Sequence, residues 1–176
     1  MEGPAHLAAR IRAVPDFPQP GVTFRDITPL LADPVAFRDA TARMAAPFAD
    51  RVSAVVGIDA RGFLLAAPIA QTLERPLVPV RKQGKLPWDT HAHTYELEYG
   101  TDTLEVHRDA LTADDRVLVV DDVLATGGTA AAAVALTTRC FGATVTAVSV
   151  LLEITGLGGR DRLDALGVPV DAVLLA

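Results

Sequence analysis

Cysteine is almost absent from this chain: Cys140 stands alone among 176 residues, so no disulfide can form within it. The expectation is a fold held by its core, in a reducing cytoplasm. Long apolar runs are missing too, none approaching the ~20 residues that a membrane span requires. The opening Met1-Glu2-Gly3-Pro4-Ala5-His6 has neither the basic start nor the apolar centre of a signal peptide. Positive charge is not in excess. Lys and Arg number 16 against 22 Asp and Glu, a net charge of −6, which disfavours nucleic acid or an anionic membrane as partner. An anionic small molecule must then be held by locally placed basic groups and backbone donors. No lysine follows the glycines in the manner of a P-loop, which argues against a small kinase or phosphatase. His91 and His93 lack a third Cys or His at ligand spacing, so solvated side chains are expected there rather than a metal centre. Cys140 is expected to be an inert buried thiol.

What is present alternates. Half the residues are hydrophobic, enough for one core in one domain. Leu7, Ile11 and Val14 have helical spacing, predicting a short helix over His6–Val14 that Pro15 ends. Asp16–Pro29 holds three prolines and is expected to be an ordered, extended segment with Phe17, Val22, Phe24 and Ile27 buried. Asp33-Pro34 reads as an N-cap with proline in the first turn, opening a helix to about Ala49 with Val35, Phe37, Met44 and Phe48 inward. Strands follow at Ser53–Ile58, Leu77–Val80, Arg116–Val120, Val145–Leu152 and Val170–Leu175. Helices are expected at Gly62–Leu73, Thr129–Phe141 and around Arg160–Leu166. Apolar strands separated by helices predict an α/β fold with a central, mostly parallel twisted sheet covered on both faces. Between Arg81 and Leu111 that pattern breaks. Alternation in Tyr95–Tyr99 and Thr103–Val106, around a turn at Gly100-Thr101-Asp102, predicts a hairpin, and an insertion of this length at strand ends is expected to be a mobile lid.

One stretch carries chemistry by itself. Val117–Val120 is an apolar strand that meets Asp121 and Asp122, then Val123-Leu124-Ala125-Thr126-Gly127-Gly128-Thr129, then an alanine-rich helix. Gly127 and Gly128 allow the backbone to approach an anion, Thr126 and Thr129 offer hydroxyls, and the helix start supplies unsatisfied N–H groups. Asp121 and Asp122, expected to be ionised at neutral pH, would repel a bare phosphate but accept hydrogen bonds from ribose hydroxyls. The expected ligand is a ribose 5-phosphate. A second polar loop, Asp59-Ala60-Arg61-Gly62, also follows a strand, and in parallel sheets such loops form the ligand crevice.

With these segments in view, the chain resembles the type I phosphoribosyltransferases, and within them the adenine-specific branch. Val119–Thr129 looks like the superfamily signature for 5-phosphoribosyl 1-diphosphate. Asp16–Pro29, Arg81-Lys82-Gln83-Gly84-Lys85-Leu86-Pro87 and Tyr95-Glu96-Leu97-Glu98-Tyr99-Gly100 are similar to segments of the adenine branch. The resemblance implies an N-terminal hood over about residues 1–34 and a core over 35–176 with the lid inserted at about 82–108. It implies transfer of the phosphoribosyl group to N9 of adenine, giving AMP and diphosphate, in a homodimer. The cofactor implied is Mg²⁺, carried by the diphosphate, with no direct protein ligand beyond a water-mediated reach to Asp121 or Asp122.

The resemblance also distributes roles. Asp121, Asp122, Ala125, Thr126, Gly127, Gly128 and Thr129 would hold the donor. Arg61 would serve the diphosphate, at a turn that in the family often has a cis peptide. Arg81 would reach the neighbouring subunit's diphosphate, and Lys85 would approach the same group from the lid. Glu98 would act as general acid/base at adenine N7, with Tyr99 closing the site. Thr23 would read the base edge through its backbone, with Phe24 or Arg25 on the ring; Phe17 and Phe63 are expected in the core. Ala60, where many relatives have serine, and Trp88–His93 depart from the family pattern. Two alternatives stay open: the same donor with xanthine or hypoxanthine/guanine as acceptor, and a non-catalytic regulatory module of the same fold.

Overall fold

The structure, a computed structural model, describes residues 4–97 and 100–176. Its elements in chain order are α1 (Ala5–Ala8), β1 (Arg12–Val14), β2 (Phe24–Asp26), α2 (Thr28–Leu31), α3 (Pro34–Ala45), a 3-10 turn (Ala46–Phe48), β3 (Ala54–Ile58), α4 (Arg61–Leu73), β4 (Leu77–Lys82), β5 (Thr90–Leu97), β6 (Gly100–His107), β7 (Arg116–Leu124), α5 (Gly128–Phe141), β8 (Thr144–Glu153), α6 (Gly159–Asp164) and β9 (Val170–Leu175). Seven strands form the main sheet in the order β5-β6-β4-β3-β7-β8-β9. β4, β3, β7, β8 and β9 run parallel, and β6 turns antiparallel against β4 and β5.

The apolar strands are buried on both sides because each face has its own core. Val56, Val117 and Val119 pack on one side with Ala133 and Leu136 of α5. Their neighbours Val55, Leu118 and Val120 point the other way, onto Met44 of α3 and Leu65 and Ile69 of α4. This is the period of two along a strand, with apolar residues at both phases. The helix at Asp33-Pro34 starts as expected, the Asp33 carboxylate accepting from the N–H groups of Val35 and Ala36. Met44 and Phe48 are inward, whereas Val35 is 61% exposed, since the first turn of α3 faces solvent there.

The N-terminal segment differs from expectation. The predicted helix to Val14 stops after one turn, and Arg12–Val14 pairs antiparallel with Phe24–Asp26 as a separate two-stranded sheet. The spacing of Leu7, Ile11 and Val14 suits a helix, but backbone pairing with a distant segment wins for the last three residues. Ile27 is fully buried, while Phe17 and Val22 are exposed; Phe17 stands T-shaped to Phe24, at 5.2 Å between ring centroids. Two further boundaries move. β7 runs through the acidic pair to Leu124 instead of ending at Val120, and the hairpin pairs Thr90 with His107 through Leu97 with Gly100. Gly100–Asp102 are therefore strand, not turn. His91 is not simply solvated, its ring lying edge-on to Phe141 at 5.2 Å, and Cys140 is half-buried against the core.

Candidate active site

Three parallel strands deliver their carboxyl ends to one place. β3 leads into Asp59-Ala60, joined by a cis peptide, and Arg61 begins α4 there. β4 ends at Arg81-Lys82, and β7 carries Asp121 and Asp122 before the loop into α5. A cavity of about 440 Å³ opens between them, bordered by Asp59, Arg61, Lys82, Asp121, Asp122 and Thr129 among others. A smaller one of about 100 Å³ adjoins it, formed by Asp121 and the loop Val123–Thr129. The first is within the size range of small-molecule sites, and the second is a cup of backbone at a helix start.

Close approach makes the cup. Gly127 has φ +75°, and a Cβ there would meet the carbonyl oxygen of Gly159 at 2.9 Å. The start of α6 thus presses on the loop, with Gly159 against Ala125 and Leu124. Arg160 then ties α6 to the strands, pairing with Glu153 and donating to the Val170 carbonyl. Gly62 does the same for the acidic pair: a Cβ on it would stand 2.9 Å from Asp121 Oδ1 and 2.9 Å from the Val120 carbonyl oxygen.

Arg61 and Asp122 face each other across the cavity floor, Nε to Oδ2 at 2.9 Å, an ion pair without hydrogen-bond alignment. The Arg61 guanidinium also lies 4.7 Å from the centre of the Phe24 ring. Its Nη1 is buried with no hydrogen-bond partner. Buried donors are nearly always satisfied, so an unpaired guanidinium nitrogen at a cavity marks a place where a ligand's acceptor belongs. Burial, and then repulsion from Asp122, push the Asp121 carboxyl well above its ordinary value. Asp122 is also raised by burial, with Arg61 pulling it back. Both shifts run against ionisation, more strongly at Asp121, where low-dielectric packing beside a second acid disfavours the charged form.

That shift has a measurable consequence. An acid whose folded-state value is raised binds its proton more tightly in the native state, so the native state loses stability as pH climbs above the ordinary 3.8. Asp121→Asn removes this loss. Thermal unfolding of the variant should match the wild type near pH 4 and exceed it increasingly towards neutrality, by about 2–4 °C for each kcal/mol relieved. A variant less stable at pH 7 than the wild type would contradict the assignment.

The other expected residues are distributed as follows. Thr126 and Thr129 border the cup, and Ala125 joins it to the larger cavity. Arg81 is folded onto its own chain, Nε 3.3 Å from Asp59 Oδ2 and Nη1 donating to the Lys85 carbonyl at 2.9 Å. Lys85 is exposed. Thr23 is exposed just ahead of β2, and Arg25 sits within β2 opposite Ala13. Phe24 reaches Arg61, while Phe63 is half-buried with the Arg81 guanidinium 5.9 Å from its ring centre. Glu98 and Tyr99 lie outside the described residues. Among the described residues no group of three or more His, Cys, Asp or Glu could hold a metal ion, and no helix is long and apolar enough to cross a membrane. Sequence reasoning missed Lys82, whose Nζ is 3.0 Å from Asp102 Oδ2, and Tyr95, which borders the larger cavity. It also missed Gly159, for which the only local sign is the pair Gly158-Gly159.

A family model, the phosphoribosyl transferase domain, matches residues 36–164. A curated adenine phosphoribosyltransferase from Maricaulis maris is 49% identical over 169 residues, covering 96% of each chain. The chain belongs to the adenine phosphoribosyltransferase family. Its fold agrees with that family's type I phosphoribosyltransferase architecture. The solved adenine phosphoribosyltransferase of Rhodothermus marinus superposes with a TM-score of 0.92 at 50% identity, covering 98% of each chain. That of Saccharomyces cerevisiae, solved with an imino-altritol bisphosphate and adenine, superposes with a TM-score of 0.90 at 34% identity, covering 97% of this chain and 98% of that one.

Proposed function

We propose that this protein works in purine salvage, transferring the phosphoribosyl group from 5-phosphoribosyl 1-diphosphate to N9 of adenine and releasing AMP and diphosphate with inversion at the anomeric carbon. The observation that carries this reading is the buried, unpartnered Nη1 of Arg61 beside Asp122, in a cavity that adjoins the backbone cup of Ala125–Thr129. A guanidinium with an unfilled donor borders the larger cavity and a helix start suited to a phosphate forms the adjoining cup, one place for each end of a sugar that carries a 5-phosphate and a diphosphate.

The donor's 5-phosphate takes the cup, with N–H groups of Thr126–Thr129 and the hydroxyls of Thr126 and Thr129 as donors. Asp121 and Asp122 accept from the ribose hydroxyls, and this positions the ring. Breaking the bond to diphosphate leaves positive charge on that ring and negative charge on the leaving group, and the site must stabilise both at once. The acidic pair lies under the first and Arg61 beside the second. The carboxylate oxygens of Asp121 and Asp122 are of the kind Mg²⁺ accepts through water, and Mg²⁺ on the diphosphate supplies charge neutralisation of the leaving group. Residues 1–34 form the hood over the base: the Thr23 backbone reads its edge and Phe24 or Arg25 packs on its face. Residues 82–108 form the mobile lid of a core that spans 35–176, bringing Glu98 to N7 as general acid/base, with Tyr99 closing the site and Lys85 at the diphosphate. In a homodimer Arg81 exchanges Asp59 for the diphosphate held by the second subunit. The setting is the cytoplasm.

Incubation with 5-phosphoribosyl 1-diphosphate, Mg²⁺ and adenine should yield AMP and diphosphate in equal amounts. Absence of AMP while the donor binds, seen by calorimetry, would replace this reading with that of a regulatory module.

A further inference from the structure

Tyr95 joins the hairpin to the donor loop. Among the described residues β5 is the terminal strand of the sheet and pairs with β6 alone, so its position over α5 depends on side-chain contacts. The Tyr95 ring packs on the core beneath and comes within 3.9 Å of where a Gly128 Cβ would stand. Its hydroxyl lies 3.3 Å from Thr129 Oγ1, in the first turn of α5, and 3.5 Å from Asp102 Oδ2 on β6. The same Asp102 oxygen accepts from Lys82 at the end of β4. One phenolic proton cannot serve two acceptors. With Asp102 held by Lys82, the phenol donates to Asp102 and accepts from Thr129; both distances are at the long limit of hydrogen bonding, so the hydroxyl is shared rather than locked. Lys82, Tyr95, Asp102 and Thr129 all border the cavity that holds Arg61 and the acidic pair.

We propose that Tyr95 is a positioning residue: its hydroxyl ties β5 to the first turn of α5, so that the hairpin and the donor loop move as one unit. The proposal rests on the reading of Asp121–Thr129 as the donor loop. It does not make Tyr95 a contact of the reacting atoms.

Tyr95→Phe keeps the ring and removes the link. Thr94→Val is the control, since the Thr94 hydroxyl bonds across the exposed face of the hairpin, to Thr103 Oγ1 at 2.9 Å. Hydrogen exchange of the β5 amides, without ligand, should quicken about 5-fold or more in Tyr95→Phe and stay at the wild-type rate in Thr94→Val. In steady state, kcat for AMP formation should fall roughly 10-fold in Tyr95→Phe with the donor KM within about 2-fold of wild type. Unchanged exchange in Tyr95→Phe, equal quickening in Thr94→Val, or an unaltered kcat in an active enzyme would each overturn the link. If the wild type forms no AMP, the proposed function fails and the exchange comparison alone decides the role of Tyr95.

Discussion

Arg61→Ala is expected to lower kcat/KM for AMP formation by about 10³-fold, the scale on which loss of one preorganised charged donor acts, or about 4 kcal/mol. The side chain has two partners to lose, and the cavity one free donor. Asp122, 3% exposed, would keep its carboxylate with no facing cation. Phe24 would lose the guanidinium on its ring face, and the cavity would lose its one buried unpaired guanidinium nitrogen among the described residues. Arg61→Lys should recover little, because an ammonium cannot face Asp122 and offer a second nitrogen in a fixed plane. Steady-state kinetics with purified variants would decide this, and an alanine variant within 10-fold of wild type would remove Arg61 from the account.

The second large effect is expected at Glu98. Glu98→Ala or Glu98→Gln should lower kcat by ~10²-fold or more while leaving donor affinity little changed, the pattern for losing a proton-transfer group that acts only as N9 attacks. Calorimetric titration of donor and Mg²⁺ beside the rate measurement separates the two quantities. A Gln variant turning over at the wild-type rate would sink the acid/base role. A loss of donor affinity as large as the loss of rate would instead make Glu98 a binding residue.

Comparison of these two residues shows what the sequence made legible. The run Val117–Val120, the acid pair and the Thr/Gly loop lie together in the chain, and each step follows from local chemistry: apolar residues at both strand phases, then a turn, then a helix start. The parallel core came from the same kind of signal. Arg61 was placed at a strand end correctly, but its pairing with Asp122 and its stack on Phe24 join positions far apart in sequence, and no local pattern encodes them. The N-terminal segment shows the limit in another way. Leu7, Ile11 and Val14 satisfy helical spacing, yet Arg12–Val14 are drawn into a strand by Phe24–Asp26. The hairpin turn was displaced for a related reason, since alternation fixes which face a residue takes but leaves the pairing register to the partner strand. Tyr95 and Gly159 escaped notice because their importance lies in what packs on them.

On the proposed function, this cavity selects a 6-aminopurine for the phosphoribosyl group. The direct measurement is kcat/KM for adenine, hypoxanthine, guanine and xanthine with saturating 5-phosphoribosyl 1-diphosphate and Mg²⁺. A wrong donor and acceptor pattern leaves buried polar groups unpaired, at ~1–3 kcal/mol each. Adenine should therefore exceed each 6-oxopurine by roughly 10²-fold or more. Hypoxanthine, guanine or xanthine used as well as adenine would contradict the claim.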